Sequence, residues 1–340
     1  MIAVRRCEAA DLATRAADRF AGMTTTSQEA FLRAFHAERP AVTADAFAGA
    51  RAADGRSSYE ILRDRVAGHG RVLDLGCGDG LLLELLARTE GCRPAGVDLS
   101  PEALALARRR PLPAGTTLSE SRAQHLPFAD DTFDACVSHM ALMLMGEVEQ
   151  VAAEVARVLR PGGMLACVIG GGAVGGEAYE LFVGLLRSAI GTAPAEQRIP
   201  ALGDRRTRSR AGLDSVLEPA GFAPVDWETV PIDLSGPVEQ VWDALAGVYD
   251  VGPLDAATVE SLRVDFLAGA KKLTAPNGIV PCGMNVHLVT TNLTVNQAAS
   301  PKTRPAANAA ASPRTHSAAN AAACPELHPA ARPAAGTATA

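Results

Sequence analysis

The sequence predicts an α/β fold built on a mostly parallel sheet, and three observations support this. Short apolar runs bounded by turn residues lie at 71–75, 93–99, 132–138 and 164–170, as expected for buried strands. Helical patterns separate these runs, and a glycine-rich turn follows the first one. Strands that alternate with helices form βαβ units, which place the strands parallel to one another.

The helical segments carry start and stop signals. The segment 101–110 begins with Ser100 as N-cap and Pro101 in the first helical position, and the segment 146–159 ends at the turn RPGG. A helix is also expected at 81–89 after the glycine-rich turn. Helical pieces precede the sheet and follow it, at 24–38, 57–67, 207–219, 237–248 and 255–269.

Composition limits the class of protein. The 340 residues are 48% hydrophobic and 21% charged, and the net charge of −6 argues against a general affinity for nucleic acid. Seven scattered cysteines without a CxxC pair indicate reduced thiols. Because we find no convincing secretory signal, membrane-spanning run or metal-ligand spacing, we expect a cytoplasmic protein without membrane or metal, either monomeric or homodimeric.

Both ends of the chain differ from its middle. We expect residues 1–22 to be a poorly ordered extension and residues 23–295 to form the folded domain. Residues 296–340 are rich in alanine, proline, threonine and asparagine. Such a segment cannot bury enough apolar surface to offset the entropy lost on ordering, so we expect a disordered tail.

The glycine-rich turn, in RVLDLGCGDG at 71–80, indicates a bound ligand. A turn of this kind between a strand and its helix is expected to direct backbone N–H groups at the ligand. Its spacing is GxGxG rather than the GxGxxG of dinucleotide sites, which disfavours a dehydrogenase. Asp74 and Asp79 would repel a pyrophosphate, whereas they suit an ammonium or sulfonium group.

A third acid, Asp98, ends the second predicted strand, where a carboxylate can accept both hydroxyls of a ribose. An adenosine joined to a cationic amino acid satisfies all these requirements. The sequence therefore predicts S-adenosyl-L-methionine as cofactor.

Four segments resemble the class I S-adenosylmethionine-dependent methyltransferases that act on small molecules. They are VLDLGCGDG, GVDLSPEALALAR, RAQHLPFADDTFDACVSHMALMLM and VLRPGGMLACVIG, within about 57–170. The resemblance implies a three-layer Rossmann-like methyltransferase fold with seven strands and a helical N-terminal cap. Its last strand, at 284–291, would run antiparallel beside a sixth near 223–231, with a helical lid inserted at about 232–280.

The same resemblance implies which residues hold the cofactor. Gly76, Cys77 and Gly78 would line its methionine side, and Asp98 with Leu99 its ribose. The family often has an acid followed by a small residue where this chain has Arg122 and Ala123, so the Ala123 backbone and Gln124 would hold the adenine.

Candidate catalytic groups follow the fourth predicted strand. Ser138 and His139 end that strand, and we expect Ser138 to contact the cofactor. His139 is the candidate base, or else a positioning group beside the cofactor. Tyr59 could close over the cofactor or pack in the core, and Arg56 is its companion candidate.

The lid supplies candidates for holding the acceptor. Trp242 and Tyr249 could stack on a flat substrate, although inward packing is slightly favoured for Trp242, and Asp250 is a further catalytic candidate. Met140, Met143 and Met145 could fill the core or form a substrate wall. The basic run RRTRSR at 205–210 could be a solvated face or an anion clamp. The glycine run GGGAVGG at 170–176 is expected to form a mobile loop.

We therefore expect methyl transfer to the N, O or C atom of a small molecule, such as a heteroaromatic secondary metabolite. An enzyme that methylates a nucleic-acid base is disfavoured. Enzymes that methylate base amino groups carry Asn or Asp before Pro-Pro where this chain has SHMA, at 138–141. Cytosine C5 enzymes use a Pro-Cys nucleophile at this place, and the one Pro-Cys of this chain, Pro281-Cys282, lies far downstream. A protein substrate and a non-catalytic cofactor-binding regulator stay open.

Overall fold

A seven-stranded sheet forms the centre of the computed structural model, which describes residues 27–174 and 177–295. The strand order is β3-β2-β1-β4-β5-β7-β6, and β7 alone runs antiparallel to its neighbours, as predicted. The strands are β1 (Arg71–Leu75), β2 (Arg93–Asp98), β3 (Leu118–Glu120), β4 (Phe133–His139), β5 (Leu159–Ala173), β6 (Asp226–Asp233) and β7 (Gly283–Asn292).

Helices cover both faces of this sheet. They are α1 (27–38), α2 (Val42–Phe47), α3 (Ser58–Arg65), α4 (Leu81–Ala87), α5 (Pro101–Ala107), α6 (Val148–Val158), α7 (Glu177–Thr192), α8 (Arg210–Leu217), α9 (Val238–Ala246) and α10 (Ala256–Ala270). The expected N-cap of α5 is confirmed, because the Ser100 side chain accepts a hydrogen bond from the Ala103 N–H.

Alternation along the strands produces the three layers. On β4, Cys136 packs with the apolar stripe of α6, whereas Ala135 and Val137 face the opposite side, towards α3 and α4. Successive side chains of a strand point to opposite faces, so one short run serves two cores. The register of Asp74 with Gly96 on β2 and Val137 on β4 aligns the carboxyl ends of the three central strands.

Strand β5 is longer than the sequence indicated, at both ends. The RPGG segment, expected as a turn, belongs to the strand and accompanies a register shift between Phe133 and Ala135 on β4. The expectation of a mobile loop at 170–176 is wrong for Gly170–Ala173, because Gly170, Gly172 and Ala173 pair with β7 and Gly171 lies at a register shift between them. Glycine is needed there because a side chain at Gly171 would meet the His287 ring at 2.7 Å.

A separate helical core lies beside the sheet. Helices α9 and α10, between β6 and β7, pack with α7, which the sequence did not predict. Phe182, Trp242 and Phe266 meet in this core, with ring centroids 5.7–6.1 Å apart. We call α7, α9 and α10 the lid helices. The proposed extension 1–22 and tail 296–340 lie outside the described residues.

We predict that Phe266→Ala lowers the free energy of unfolding by about 3–5 kcal/mol, since it empties the centre of the lid core. The matched control is Val264→Ala on the same helix, where the side chain is 53% exposed. That substitution should change the free energy of unfolding by no more than about 0.5 kcal/mol. Denaturant titrations of both variants check this, and equal losses would show that the lid helices do not share a tight core.

Candidate functional site

The backbone N–H groups of the glycine turn are used within the protein. Those of Gly76 and Cys77 both donate to the Val97 carbonyl at 2.9 Å, and that of Gly78 donates to Asp98 Oδ2 at 2.7 Å. The expectation that they point at a ligand is therefore wrong. The glycines serve the turn itself, because Gly76 has φ of 75° and a Cβ there would lie 2.5 Å from that of Ala141.

Asp74 is a buried carboxylate without a partner. Among the described residues, neither of its oxygens has a hydrogen-bond partner. Burial, helped by Asp98 and Asp79, raises its pKa well above the ordinary aspartate value. Buried polar groups are nearly always paired, so this carboxylate is a place where a cationic or hydrogen-donating ligand would be stabilised.

Asp79 lies in the same turn but its charge is already balanced. Its carboxylate pairs with the Arg110 guanidinium, which also bonds the Asp79 carbonyl at 2.6 Å and Glu84 at 2.7 Å. Of the two acids in the turn, only Asp74 is left to meet a cation.

Asp98 is held in a fixed orientation at the carboxyl end of β2. Its Oδ2 accepts from Gly78 and its Oδ1 accepts from the Ser100 N–H at 2.8 Å. The carboxylate still lines the space beyond the strand, so it can accept further hydrogen bonds. This placement agrees with the expected ribose contact.

A cleft runs from Asp98 towards the loop after β3. We call it the ribose cleft, and its walls include Gly76, Leu99, Ala123 and Gln124. The Gln124 amide donates to the Gly146 carbonyl at 2.7 Å, which fixes that side chain at the wall. Five of the expected cofactor residues, Asp98 included, are thus brought together.

Arg122 explains the departure from the family pattern at this end. Its guanidinium pairs with Glu29 of α1 at 2.5 Å and with Glu147 at 2.9 Å. Its charge therefore ties α1 to the loop after β4.

Helix α1 covers the ribose cleft, a role that the sequence analysis did not assign to it. Gln28, Arg33 and His36 line the cleft. Arg33 donates to the Leu99 carbonyl at 2.7 Å and pairs with Glu120 at 2.9 Å. The sequence predicted a helix here, but the partners of its polar side chains are distant in the chain.

A second space adjoins the cleft. This glycine-loop pocket is lined by Tyr59, Asp74, Cys77, Gly78 and His139, among others, and it shares Asp98 with the ribose cleft. A Cβ at Gly78 would meet no atom within 4 Å, so the backbone there is open to the pocket.

His139 is present in this pocket as a neutral ring. Its Nε2 bonds the Ser58 hydroxyl at 2.9 Å, and its ring stacks on that of Tyr59 at 3.7 Å. Burial lowers the pKa of His139 to about 3. A group with so low a pKa is a weak base at neutral pH, so the structure favours the positioning role over the role of base.

Two candidates do not reach any of these spaces. The Ser138 hydroxyl donates to the Leu75 carbonyl at 2.8 Å and accepts from the Leu142 N–H at 3.1 Å, so it ties β1 to the loop after β4 instead of binding cofactor. Arg56 pairs with Asp54 and Asp64 at the surface. Both expectations are corrected.

A larger cavity of about 670 Å³ lies under the lid helices. This lid cavity shares Met140, Leu144 and Tyr249 with the glycine-loop pocket, and Tyr249 and Asp250 reach it as expected. Met140 turns the chain out of β4 in a left-handed conformation, with φ of 58°, a geometry typical of functional sites.

Trp242 does not line the lid cavity. Its ring is only 6% exposed and packs in the lid core with Phe182 and Phe266, so its proposed stacking on a substrate is not supported. The Tyr249 hydroxyl bonds His36 Nε2 at 3.0 Å, which joins the lid to α1. Tyr249 therefore lies where the glycine-loop pocket meets the lid cavity.

Two further observations concern residues 27–174 and 177–295 alone. No group of three or more His, Cys, Asp or Glu side chains there is arranged to hold a metal ion. None of the helices in these ranges combines the length and hydropathy that crossing a bilayer requires.

We predict that Asp74→Asn changes how stability depends on pH. The pKa of Asp74 is raised in the folded state above its ordinary 3.8, so the folded protein binds the additional proton. Wild-type stability therefore falls as pH rises above about 4, and the advantage of the Asn variant grows over that range.

Denaturant titrations from pH 4.5 to 8 measure this difference. The control is Asp226→Asn, at an exposed position on β6, which should shift the curve by a constant amount. Parallel curves for Asp74→Asn and wild type would mean that Asp74 is not an isolated buried carboxylate.

Comparison with known proteins identifies the central segment. Residues 73–167 match the family model described as a methyltransferase domain. Methyltransferase GfsG of Streptomyces halstedii is 43% identical over 112 residues, which cover 32% of this chain and 40% of that protein. The fatty-acid O-methyltransferase of Mycolicibacterium smegmatis is 44% identical over 96 residues, or 27% and 34% of the two chains.

The crystal structure of the YcgJ protein of Bacillus subtilis is 17% identical, with a TM-score of 0.46, and the match covers 69% of this chain and 98% of that one. The matches to methyltransferase GfsG and to the fatty-acid O-methyltransferase each span less than half the length of that relative. The matched residues contain most of β1, all of β2, β3 and β4, and the glycine turn. The central segment of the chain, with the glycine turn and strands β2 to β4, is therefore similar to a methyltransferase domain.

Proposed function

We propose that this protein transfers a methyl group from S-adenosylmethionine to a small molecule in the lid cavity. The observation that carries the proposal is the unpartnered Asp74 carboxylate, which lies between the ribose cleft and the lid cavity. A cationic ligand at Asp74 would have its adenosine on one side and the acceptor on the other.

The residues of the site fit this cofactor. Asp98 would accept the ribose hydroxyls, the wall at Ala123 and Gln124 would hold the adenine, and Asp74 would face a cationic group. The open backbone at Gly78 leaves room for close approach. When bound, the cofactor supplies a methyl group already activated by its attachment to a positive sulfur.

The protein's own contribution is positioning. Because His139 is a weak base and lies flat against Tyr59, these two groups shape the pocket wall instead of removing a proton. Holding donor and acceptor in line converts a bimolecular step into an effectively unimolecular one, which can supply most of the catalysis. This arrangement favours an acceptor atom that is nucleophilic without a strong base.

The size and lining of the lid cavity support a small, largely apolar acceptor. Its walls are mainly aliphatic side chains and methionines, including Met140 and Met143. One of the matched relatives is named for a fatty-acid substrate, which is an acceptor of this kind. The sequence adds three further parts to the proposal. The acceptor is a secondary metabolite, the enzyme is cytoplasmic, and it is a monomer or a homodimer.

We predict that Asp98→Ala weakens binding of S-adenosylmethionine by about 1–3 kcal/mol, the cost of hydrogen bonds left unmade. The control is Asp226→Ala, which removes an equal charge from an exposed position on β6 that does not line the ribose cleft. Isothermal titration should find the control within about twofold of wild type. Unchanged affinity in Asp98→Ala would refute the ribose contact.

Turnover is tested separately. Protein incubated with methyl-labelled cofactor and a metabolite extract should yield a labelled small molecule, detected by mass spectrometry. Binding in the titration with no label transferred to any acceptor would instead support the non-catalytic alternative.

A further inference from the structure

The basic run 205–210 contains arginines with different surroundings. Arg206 is neutralised by Asp204 and by Glu149, whereas Arg208 lines the lid cavity. Within the described residues, the hydrogen bonds of the Arg208 guanidinium go to Met143, to its carbonyl oxygen at 3.4 Å and to its sulfur at 3.8 Å. No carboxylate within the described ranges forms an ion pair with Arg208.

The segment that carries Arg208 is fixed against the cavity wall. Thr207 is fully buried, and its hydroxyl donates to the Asp204 carbonyl at 2.6 Å. Gly203 lies against the backbone of Met143 so closely that a Cβ would sit 2.0 Å from its carbonyl oxygen. This contact fixes the backbone of the segment that carries Arg208 against the cavity wall.

The rest of the cavity offers little charge. Among its described lining residues, Asp250 is the one other charged group, and it forms no ion pair with Arg208. Burial raises the pKa of Asp250, so the acid is easier to neutralise than an exposed carboxyl. Burial and Arg205 lower the pKa of Arg208 and Asp250 acts in the opposite direction, but a guanidinium stays charged at neutral pH.

We propose that the acceptor is an apolar molecule bearing one carboxylate, which Arg208 binds at the wall of the lid cavity. This inference rests on the proposed function and narrows its substrate class. A guanidinium presents paired N–H donors that match the two oxygens of a carboxylate, and the exposed Arg208 presents them at the lid cavity. The aliphatic walls then hold the remainder of the acceptor.

A cationic or zwitterionic acceptor is the contrasting possibility, and Asp250 distinguishes the cases. If the acceptor is anionic, the Asp250 charge opposes its binding, and removing that charge leaves affinity unchanged or improves it. If a cation is bound, removing the same charge weakens binding.

The test uses straight-chain carboxylates from hexanoate to hexadecanoate, with the corresponding alcohols as uncharged partners. Binding is measured by isothermal titration to the full chain saturated with S-adenosylhomocysteine, so no methyl transfer is required. Wild type is compared with Arg208→Gln, Asp250→Asn and the control Arg210→Gln, which removes an equal charge from an exposed position of the same run.

We expect Arg208→Gln to weaken binding of the best carboxylate at least tenfold and to leave the alcohol within about twofold. Arg210→Gln should leave both unchanged, and Asp250→Asn should bind the carboxylate as well as wild type or better. The proposal is overturned if wild type binds no carboxylate better than its alcohol, if Arg208→Gln matches wild type, or if Asp250→Asn alone loses affinity.

Failure of this inference can be told apart from failure of the proposed function. Saturation with S-adenosylhomocysteine reports the cofactor site in every variant before any carboxylate is added. Normal saturation without carboxylate binding refutes the acceptor class alone, whereas no saturation in wild type refutes the cofactor site itself.

Discussion

The buried acid Asp74, which has no hydrogen-bond partner among the described residues, is the constraint around which the site is arranged. Burying a carboxylate without a partner is costly, and a protein that needed only a tight turn could place an apolar residue there. The neighbouring Asp79 shows the alternative, since Arg110 neutralises it. Asp74 has no such partner among the described residues, and it faces the pocket. The fold therefore leaves one buried acid whose ionised form a cationic ligand would stabilise.

The surrounding structure extends from that acid in two directions. Towards β2, Asp98 is oriented by two backbone N–H groups and opens the ribose cleft that α1 covers. Towards the lid helices, Met140 and Tyr249 border both the glycine-loop pocket and the lid cavity. In such an arrangement the methyl donor and the acceptor can meet only where the glycine-loop pocket joins the lid cavity. The neutral His139 stands near this junction and shapes the wall without needing to change its protonation.

The sheet and much of the cofactor site could be predicted from the sequence, because both depend on local pattern. Strand β1 and the cap of α5 depend on residues that are adjacent in the chain, and the antiparallel β7 was predicted from the family resemblance. Side chains whose partners are distant in the chain could not be assigned. Ser138 looked like a ligand contact, but it bonds Leu75 and Leu142, whereas Trp242 looked like a stacking surface and fills a core with α7. Helix α1 shows the reverse, since only tertiary packing brings it to the site. For the basic run 205–210 the sequence left two roles open, and tertiary packing places Arg208 alone of its arginines at the lid cavity.

The most direct measurement is a crystal structure of the protein grown with S-adenosylmethionine. The account predicts a cationic group of the cofactor within hydrogen-bond distance of Asp74 and the ribose hydroxyls on Asp98, with the methyl group directed at the lid cavity. A cofactor bound elsewhere, or a glycine-loop pocket that stays without ligand at saturating concentration, would contradict it.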